Sequence, residues 1–322
     1  MSSVGLEVLL LVYLCVQGVY VVLTRLSSSV GAGGLAILPY SLMAYAVLTF
    51  LFIWLSGWHR DAHGRMVAGW RLPVPSRETA ISGIGSAMML GAIPMSVSIP
   101  SVSIPIMLLI LRGGMLAIAP LVDLAHRRRI HWWSGVALVA VAGALTLALR
   151  GNRDVALSPL AVLTVLLYNV GFLLRLVMMT RVAKRGSDAQ TRNYFVEEKL
   201  VALPLGLVTL LLLVAAGAGS DNPSAILHVN WSLSLALAVL CMGVALTITS
   251  ILASVILLDR QENSYCVPLE RATGLLAGFG AAWVLHWMWQ RPAPTPGEMW
   301  GAALVLGTIV LLALARPARR RA

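Results

Sequence analysis

From Leu6 onward the sequence alternates apolar runs of 18 to 26 residues with short polar connections. A helix of about 20 residues rises about 30 Å, the thickness of a bilayer's hydrocarbon core. Lipid also offers no partners to backbone N–H and C=O groups, so such runs span it as helices that bond internally. The runs fall at 6–24, 34–56, 79–97, 101–122, 132–149, 157–180, 194–216, 232–257, 264–287 and 297–315. The expected fold class is an all-α integral membrane protein with ten transmembrane helices. Composition agrees: 59% of the 322 residues are hydrophobic, 11% are charged and the mean hydropathy is +0.85, far from a soluble domain. The first run carries Glu7 and lacks the basic start and small-residue cleavage site of a secretory leader, so it is expected to be a retained helix.

A net charge of +11 raises the question of nucleic acid, but the basic residues lie mostly in short connections and act there as topology signals. One side of the ten-span partition collects sixteen: Arg60, Arg65, Arg71, Arg77, Arg127, Arg128, Arg129, Arg181, Lys184, Arg185, Arg192, Arg260, Arg316, Arg319, Arg320 and Arg321. The other has four, Arg25, Arg150, Arg153 and Arg291. Cytoplasmic connections are the basic ones, which places both termini in the cytoplasm and the protein in the cytoplasmic (inner) membrane.

The chain also repeats itself. "SVSIP" (101–105) answers "SYCVP" (264–268), and "GVALV" (135–139) answers "GAALV" (301–305). Residues 1–150 and 151–322 then form two five-helix repeats within one membrane domain, and an odd number of helices makes the second enter from the opposite face. Inverted repeats let a carrier rock about a central site. Five plus five helices, short connections, and a proline-bearing fourth and ninth helix leading into a G-x-A-L-V helix resemble the drug/metabolite transporter superfamily, specifically its EamA-type members. The resemblance covers the whole chain as topology, but its motifs are confined to the ends of the halves, 118–147 and 281–314. Where many members close the fourth helix with glutamate, this chain has Asp123 and His126, and its second helix reads "LPYSLMAYAVL" (38–48) without an early arginine. The resemblance implies secondary transport of a small molecule, with substrate and direction unspecified.

Charges within the apolar runs point to the chemistry. A charge near mid-bilayer costs about 2.5–3.5 kcal/mol on insertion scales, so such groups face the bundle interior and find partners. Arg112 lies eleven residues into the fourth run, on one helical face with Ser101 and Pro105. In the ninth, Ser264, Pro268 and Arg271 share a face. Glu270 adjoins Arg271 but points about 100° away around a helix, so each is expected to find its partner elsewhere. Arg175 is late in the sixth run, and Glu197, Glu198 and Lys199 are early in the seventh. Three acids (Glu197, Glu198, Glu270) against four bases (Arg112, Arg175, Lys199, Arg271) leave one cation over. A spare guanidinium suits carboxylate or phosphate, so the substrate is expected to be anionic or zwitterionic.

Tyr13, Gln17, Tyr20 and Thr24 form a polar stripe on the first run, and Tyr168, Phe172 and Arg175 share a face on the sixth. The candidate substrate-binding residues are therefore Arg112, Arg271, Glu270, Arg175, Tyr13, Gln17, Tyr20 and Tyr168. Glu197, Glu198 and Lys199 are candidates for proton coupling or ion pairing. A structural alternative stands beside each: interfacial charges snorkel, a buried pair fixes helix register, and a buried Tyr or Gln bonds between helices.

No GxxxxGK[ST] sequence occurs, and "GIGSAM" (83–88) lacks the third glycine of a dinucleotide fingerprint. His59 and His63 stand without further ligands, and Cys15, Cys241 and Cys266 without CxxC spacing. No catalytic residue, cofactor or metal is expected; the partners are a small-molecule substrate and the bilayer, with no nucleic acid, and a homodimer is compatible with the sequence. Two other functions fit the same residues: a lipid or lipid-linked saccharide flippase, for which a basic cavity would receive phosphate, and a membrane-embedded transferase using Asp123, His126 or the intramembrane glutamates.

Overall fold

A computed structural model of the chain describes residues 6–29, 33–67, 70–97, 111, 115, 118–127, 132–149, 159–182, 187–215, 231–258 and 263–290, with 296, 299, 300, 303, 304, 306 and 307. The helices are α1 (Leu6–Ser29), α2 (Gly33–Leu55), α3 (Arg77–Val97), α4 (118–125), α5 (Trp132–Leu149), α6 (Pro159–Val182), α7 (Asp188–Ala215), α8 (Leu233–Leu257) and α9 (Asn263–Trp289). Three of them are long and apolar enough to cross a membrane, over Ile37–Leu55, Val162–Val182 and Leu233–Leu257, and Val8–Thr24 is a shorter apolar helix. Most of the fourth and tenth apolar runs, including Arg112, lies outside the described residues.

Local sequence explains several helix starts. Ser187 and Gln190 bond reciprocally, Ser187 N to Oε1 at 3.0 Å and Gln190 N to Ser187 Oγ at 3.4 Å. This capping box starts α7 six residues before the apolar run does. Ser76 Oγ accepts from Thr79 N at the start of α3, and Ser232 Oγ accepts from Leu235 N at the start of α8. Each satisfies an N–H that the first helical turn leaves without a carbonyl.

One connection departs from the helical pattern. In the polar connection after α2, a 3-10 turn (Trp58–Arg60) is followed by an antiparallel hairpin of β1 (Gly64–Val67) and β2 (Trp70–Pro73). Gly57, at φ 72°, ends α2 in the left-handed region open to glycine. Trp58 then stands edge-on to Phe52 of α2 and Phe195 of α7, anchoring the turn. Strands of four residues are too short for an alternating pattern to separate them from a loop.

The chain divides into two compact units, each drawing on both sequence halves. One unit holds 23–111 and 157–247. Within it α3 packs against α6 and α7, and α2 packs against α7 through Leu42, Tyr45, Ala46, Leu203 and Leu210. Ile37 of α2 meets Leu235 and Val239 of α8. Two glycines bring α3 and α6 together: a methyl on Gly85 would lie 2.5 Å from the Gly171 carbonyl oxygen, and one on Gly171 would lie 2.5 Å from that of Gly85. Small residues permit such backbone approach between membrane helices.

The second unit holds 1–22, 112–156 and 248–322. In it α9 packs against α5, and Gly18 of α1 lies under the Ala277 carbonyl of α9. The start of α9 is capped from another helix. Asp123 Oδ1 accepts from Asn263 N and Nδ2 at 3.0 and 2.9 Å, and Oδ2 accepts from Ser264 N and Oγ at 2.6 and 2.7 Å. Outward positions such as Leu11 and Val19 on α1, Leu163, Leu166 and Val170 on α6, and Leu237 and Leu240 on α8 remain exposed. Apolar surface on that scale is what a lipid-facing helix presents.

Candidate functional site

A buried polar set lies where α3, α6 and α7 pack in the first of these units. Glu198 of α7 is fully buried, and its Oε1 lies 2.9 Å from Nε of Arg175 on α6. Their alignment is that of an ion pair rather than a directed hydrogen bond. Ser86 of α3 donates to the same Oε1. One turn away Ser82 bonds the Tyr194 hydroxyl, which also reaches the Arg175 carbonyl at 3.4 Å. Lys199 is buried with Nζ 5.4 Å from the centre of the Phe195 ring, a cation–π contact, and acts electrostatically on Glu198. Two buried cations therefore face one carboxylate here. Glu198 Oε2 is buried without a hydrogen-bond partner among the described residues.

The segment "SGIGS" (82–86) builds this arrangement. On a helix, residues four apart share a face, so Ser82 and Ser86 both reach α7, to Tyr194 and Glu198. Gly83 and Gly85 carry the close approach: a methyl on Gly83 would meet the Val201 side chain at 2.6 Å and the Glu198 carbonyl at 3.0 Å. The glycines that fail as a dinucleotide fingerprint are packing residues.

Glu197 does something else. Its Oε1 accepts from His63 N at 3.0 Å and lies 2.6 Å from His63 Nδ1, while Oε2 accepts from Ser76 N at 2.9 Å and Thr79 Oγ1 at 2.7 Å. Both oxygens are filled by the segment entering and leaving the hairpin. Asp61 and Arg192 pair alongside, at 2.5 Å. The sequence expectation of Glu197 as a partner for an intramembrane cation is corrected: the polar connection folds back and supplies its donors.

In the other unit, Glu270 Oε2 lies 2.9 Å from Arg271 Nε, and Tyr13 donates to Glu270 Oε1 at 2.5 Å. This overturns the expectation that Glu270 and Arg271 look away from one another. Successive Cβ atoms diverge, but the guanidinium is carried on a long stem and folds back onto its neighbour. Tyr13 is buried, Gln17 and Tyr20 are half-buried, and Leu11, Val12, Cys15 and Val19 are exposed. The polar stripe of α1 thus turns inward.

Tyr168 is also buried, on α6 with Phe172 and Leu176. Arg112 lies outside the described residues. Asp123, just past the fourth apolar run, is buried as well, but its oxygens are occupied at the start of α9. His126 Nδ1 lies 2.9 Å from the Val122 carbonyl at the end of α4. Among the described residues no group of three or more His, Cys, Asp or Glu side chains could hold a metal ion.

The sequence did not single out Ser82, Ser86 or Tyr194. Serines flanking glycines inside an apolar run were the available signal, since a hydroxyl in lipid asks for a partner.

No family model and no curated protein matches the chain. It is similar to a solved structure described only as a crystal structure of protein, at 15% identity and a TM-score of 0.64, with 98% of each chain covered. At that identity the likeness is one of fold.

Proposed function

We propose that this chain is a secondary transporter that carries a small anionic or zwitterionic organic metabolite across the cytoplasmic membrane by alternating access. Its ten helices form two inverted five-helix repeats, as in the drug/metabolite transporter superfamily and its EamA-type members, with both termini in the cytoplasm. The observation that carries this reading is the pair of buried cations, Arg175 and Lys199, facing the one carboxylate Glu198. With all three ionised, the set holds a net positive charge amid apolar helices, where desolvation is costly. The anionic group of a solute is the natural partner for that charge, and a guanidinium has a planar two-nitrogen edge to offer it.

Tyr194 supplies a hydroxyl and ring surface to this set, and Tyr168 lies buried two turns before Arg175 on the same helix. Arg271, Glu270 and Tyr13 form a second charged group whose carboxylate is already matched by a cation and a hydroxyl, which suits a role in helix positioning. Arg112 belongs by the repeat to a face equivalent to that of Arg271.

The test is a thermal-stability screen of purified protein against anionic, zwitterionic and cationic metabolites, followed by uptake of the stabilising compounds into liposomes. A bound ligand raises the melting point by mass action. Stabilisation by anions or zwitterions, lost in Arg175→Gln, is the expected result. Stabilisation by cations alone, or turnover of a substrate by solubilised protein without a second compartment, would overturn the assignment.

A further inference from the structure

We infer that Glu198 is a proton-binding site in competition with Arg175: Oε2 takes up a proton, the ion pair to Nε loosens, and the guanidinium becomes free to bind the substrate's carboxylate or phosphate. This rests on the transporter reading above and names its coupling.

The buried carboxylates differ in which oxygen has room for a proton. Glu197 and Asp123 are surrounded by donors on both oxygens, so a proton on either would collide with an N–H or O–H already pointing there. Glu270 holds the Tyr13 hydroxyl on Oε1, and its Oε2, likewise without a hydrogen-bond partner among the described residues, is taken by the Arg271 guanidinium 2.9 Å away. In Glu198 all the contacts converge on Oε1, from Ser86 and Arg175, while Oε2 is buried and has no hydrogen-bond partner among the described residues. A proton can occupy Oε2 without displacing a donor.

The groups facing Glu198 are Arg175 from α6, Ser86 from α3, and Tyr194 and Lys199 from α7, with Ser82 bonded to Tyr194 and Tyr45 of α2 acting on Arg175. The cations favour the carboxylate and burial favours the acid, so it is the loosening of Arg175 from Oε1 that goes with the acid form. The charges close: an O–H bond forms at Oε2 as an O–H bond of a solvent hydronium breaks and leaves water, Glu198 goes from −1 to neutral, and a bound monoanion restores the original total. Release of the anion and then the proton returns the pair. One proton accompanies one monoanion, and the transported charge is zero.

The experiment is infrared difference spectroscopy on the purified full chain, titrated in H2O and D2O, reading the carbonyl stretch of a buried protonated carboxylic acid. A titrating, deuterium-sensitive band is expected in the wild type, in Glu197→Gln and in Glu270→Gln, and is expected to vanish in Glu198→Gln. Its midpoint shifts in Arg175→Gln and stays in place in Arg271→Gln. Glu198→Asp, which retains the acid, displaces the band and serves if the Gln variant does not fold. A band that persists unchanged in both Glu198 variants overturns the inference. In liposomes with a pH gradient and the membrane potential clamped at zero, absence of uptake with the Glu198 band intact counts against the transport reading and leaves the proton site standing.

Discussion

Glu197 and Glu198 are consecutive on α7 and equally buried, yet Glu197 is filled by donors from the hairpin segment while Glu198 faces Arg175 with one oxygen unoccupied by any described donor. One residue's step around a helix turns a side chain by about 100°. It directs one carboxylate to the loop and the next to the α3–α6 packing.

On the proposed function, the cationic side of this pair binds the substrate. Hydrogen bonds to charged groups are worth about 1.5–3 kcal/mol, and each 1.4 kcal/mol is tenfold. Arg175→Gln is therefore expected to lower uptake in liposomes about 10- to 100-fold with normal expression and insertion. Arg175→Lys keeps the charge but not the planar fork, and should fall between. Unchanged uptake in Arg175→Gln would remove the residue from the site.

Loss of the Glu197 carboxylate should free the hairpin. Four donors, including two backbone N–H groups, lose their acceptor in Glu197→Ala, at about 0.5–1.5 kcal/mol for each bond. Hydrogen exchange across 63–76 is expected to speed up at least about tenfold, because local opening sets that rate. Glu197→Gln, which retains one carbonyl acceptor, should lie between. Unchanged exchange in Glu197→Ala would show that the aromatic contacts of Trp58 hold the segment alone.

At Gly85 a methyl group meets backbone, not a movable side chain. Gly85→Ala is expected to lower stability by about 1–3 kcal/mol, the range for overpacking, read as an earlier thermal midpoint in detergent. Gly135 of α5 is the control: a methyl there meets nothing within 4 Å among the described residues, so Gly135→Ala should leave the midpoint unchanged or raise it.

The start of α9 depends on a residue 140 positions earlier. In Asp123→Ala the N–H groups of Asn263 and Ser264 lose their acceptors, and each buried unsatisfied donor costs about 1–3 kcal/mol. Faster amide exchange at those two residues and a lower thermal midpoint are expected. Asp123→Asn should recover part of the loss, since it keeps one acceptor oxygen. A midpoint equal to wild type in Asp123→Ala would show that the cap is dispensable.

The sequence by itself determined that the chain is helical and, among the described residues, that three helices are long and apolar enough to cross a membrane. Uninterrupted apolar runs leave a backbone no other way to satisfy its hydrogen bonds in lipid, and Ser76, Ser187 and Ser232 mark helix starts by local bonds that need no knowledge of the fold. The inward turn of the Tyr13, Gln17 and Tyr20 stripe was legible for the same reason: helical spacing fixes which side chains share a face. Which charges meet was not legible. Spacing along α9 separates Glu270 from Arg271, but a flexible guanidinium crosses that angle. Nothing local tells that Glu197 belongs to the hairpin, that Asp123 caps a helix 140 residues on, or that Ser86 and Arg175 converge on a single oxygen of Glu198. Those pairings follow from helix packing, in which Gly85 and Gly171 let α3 and α6 approach closely enough to bring distant polar groups within bonding distance.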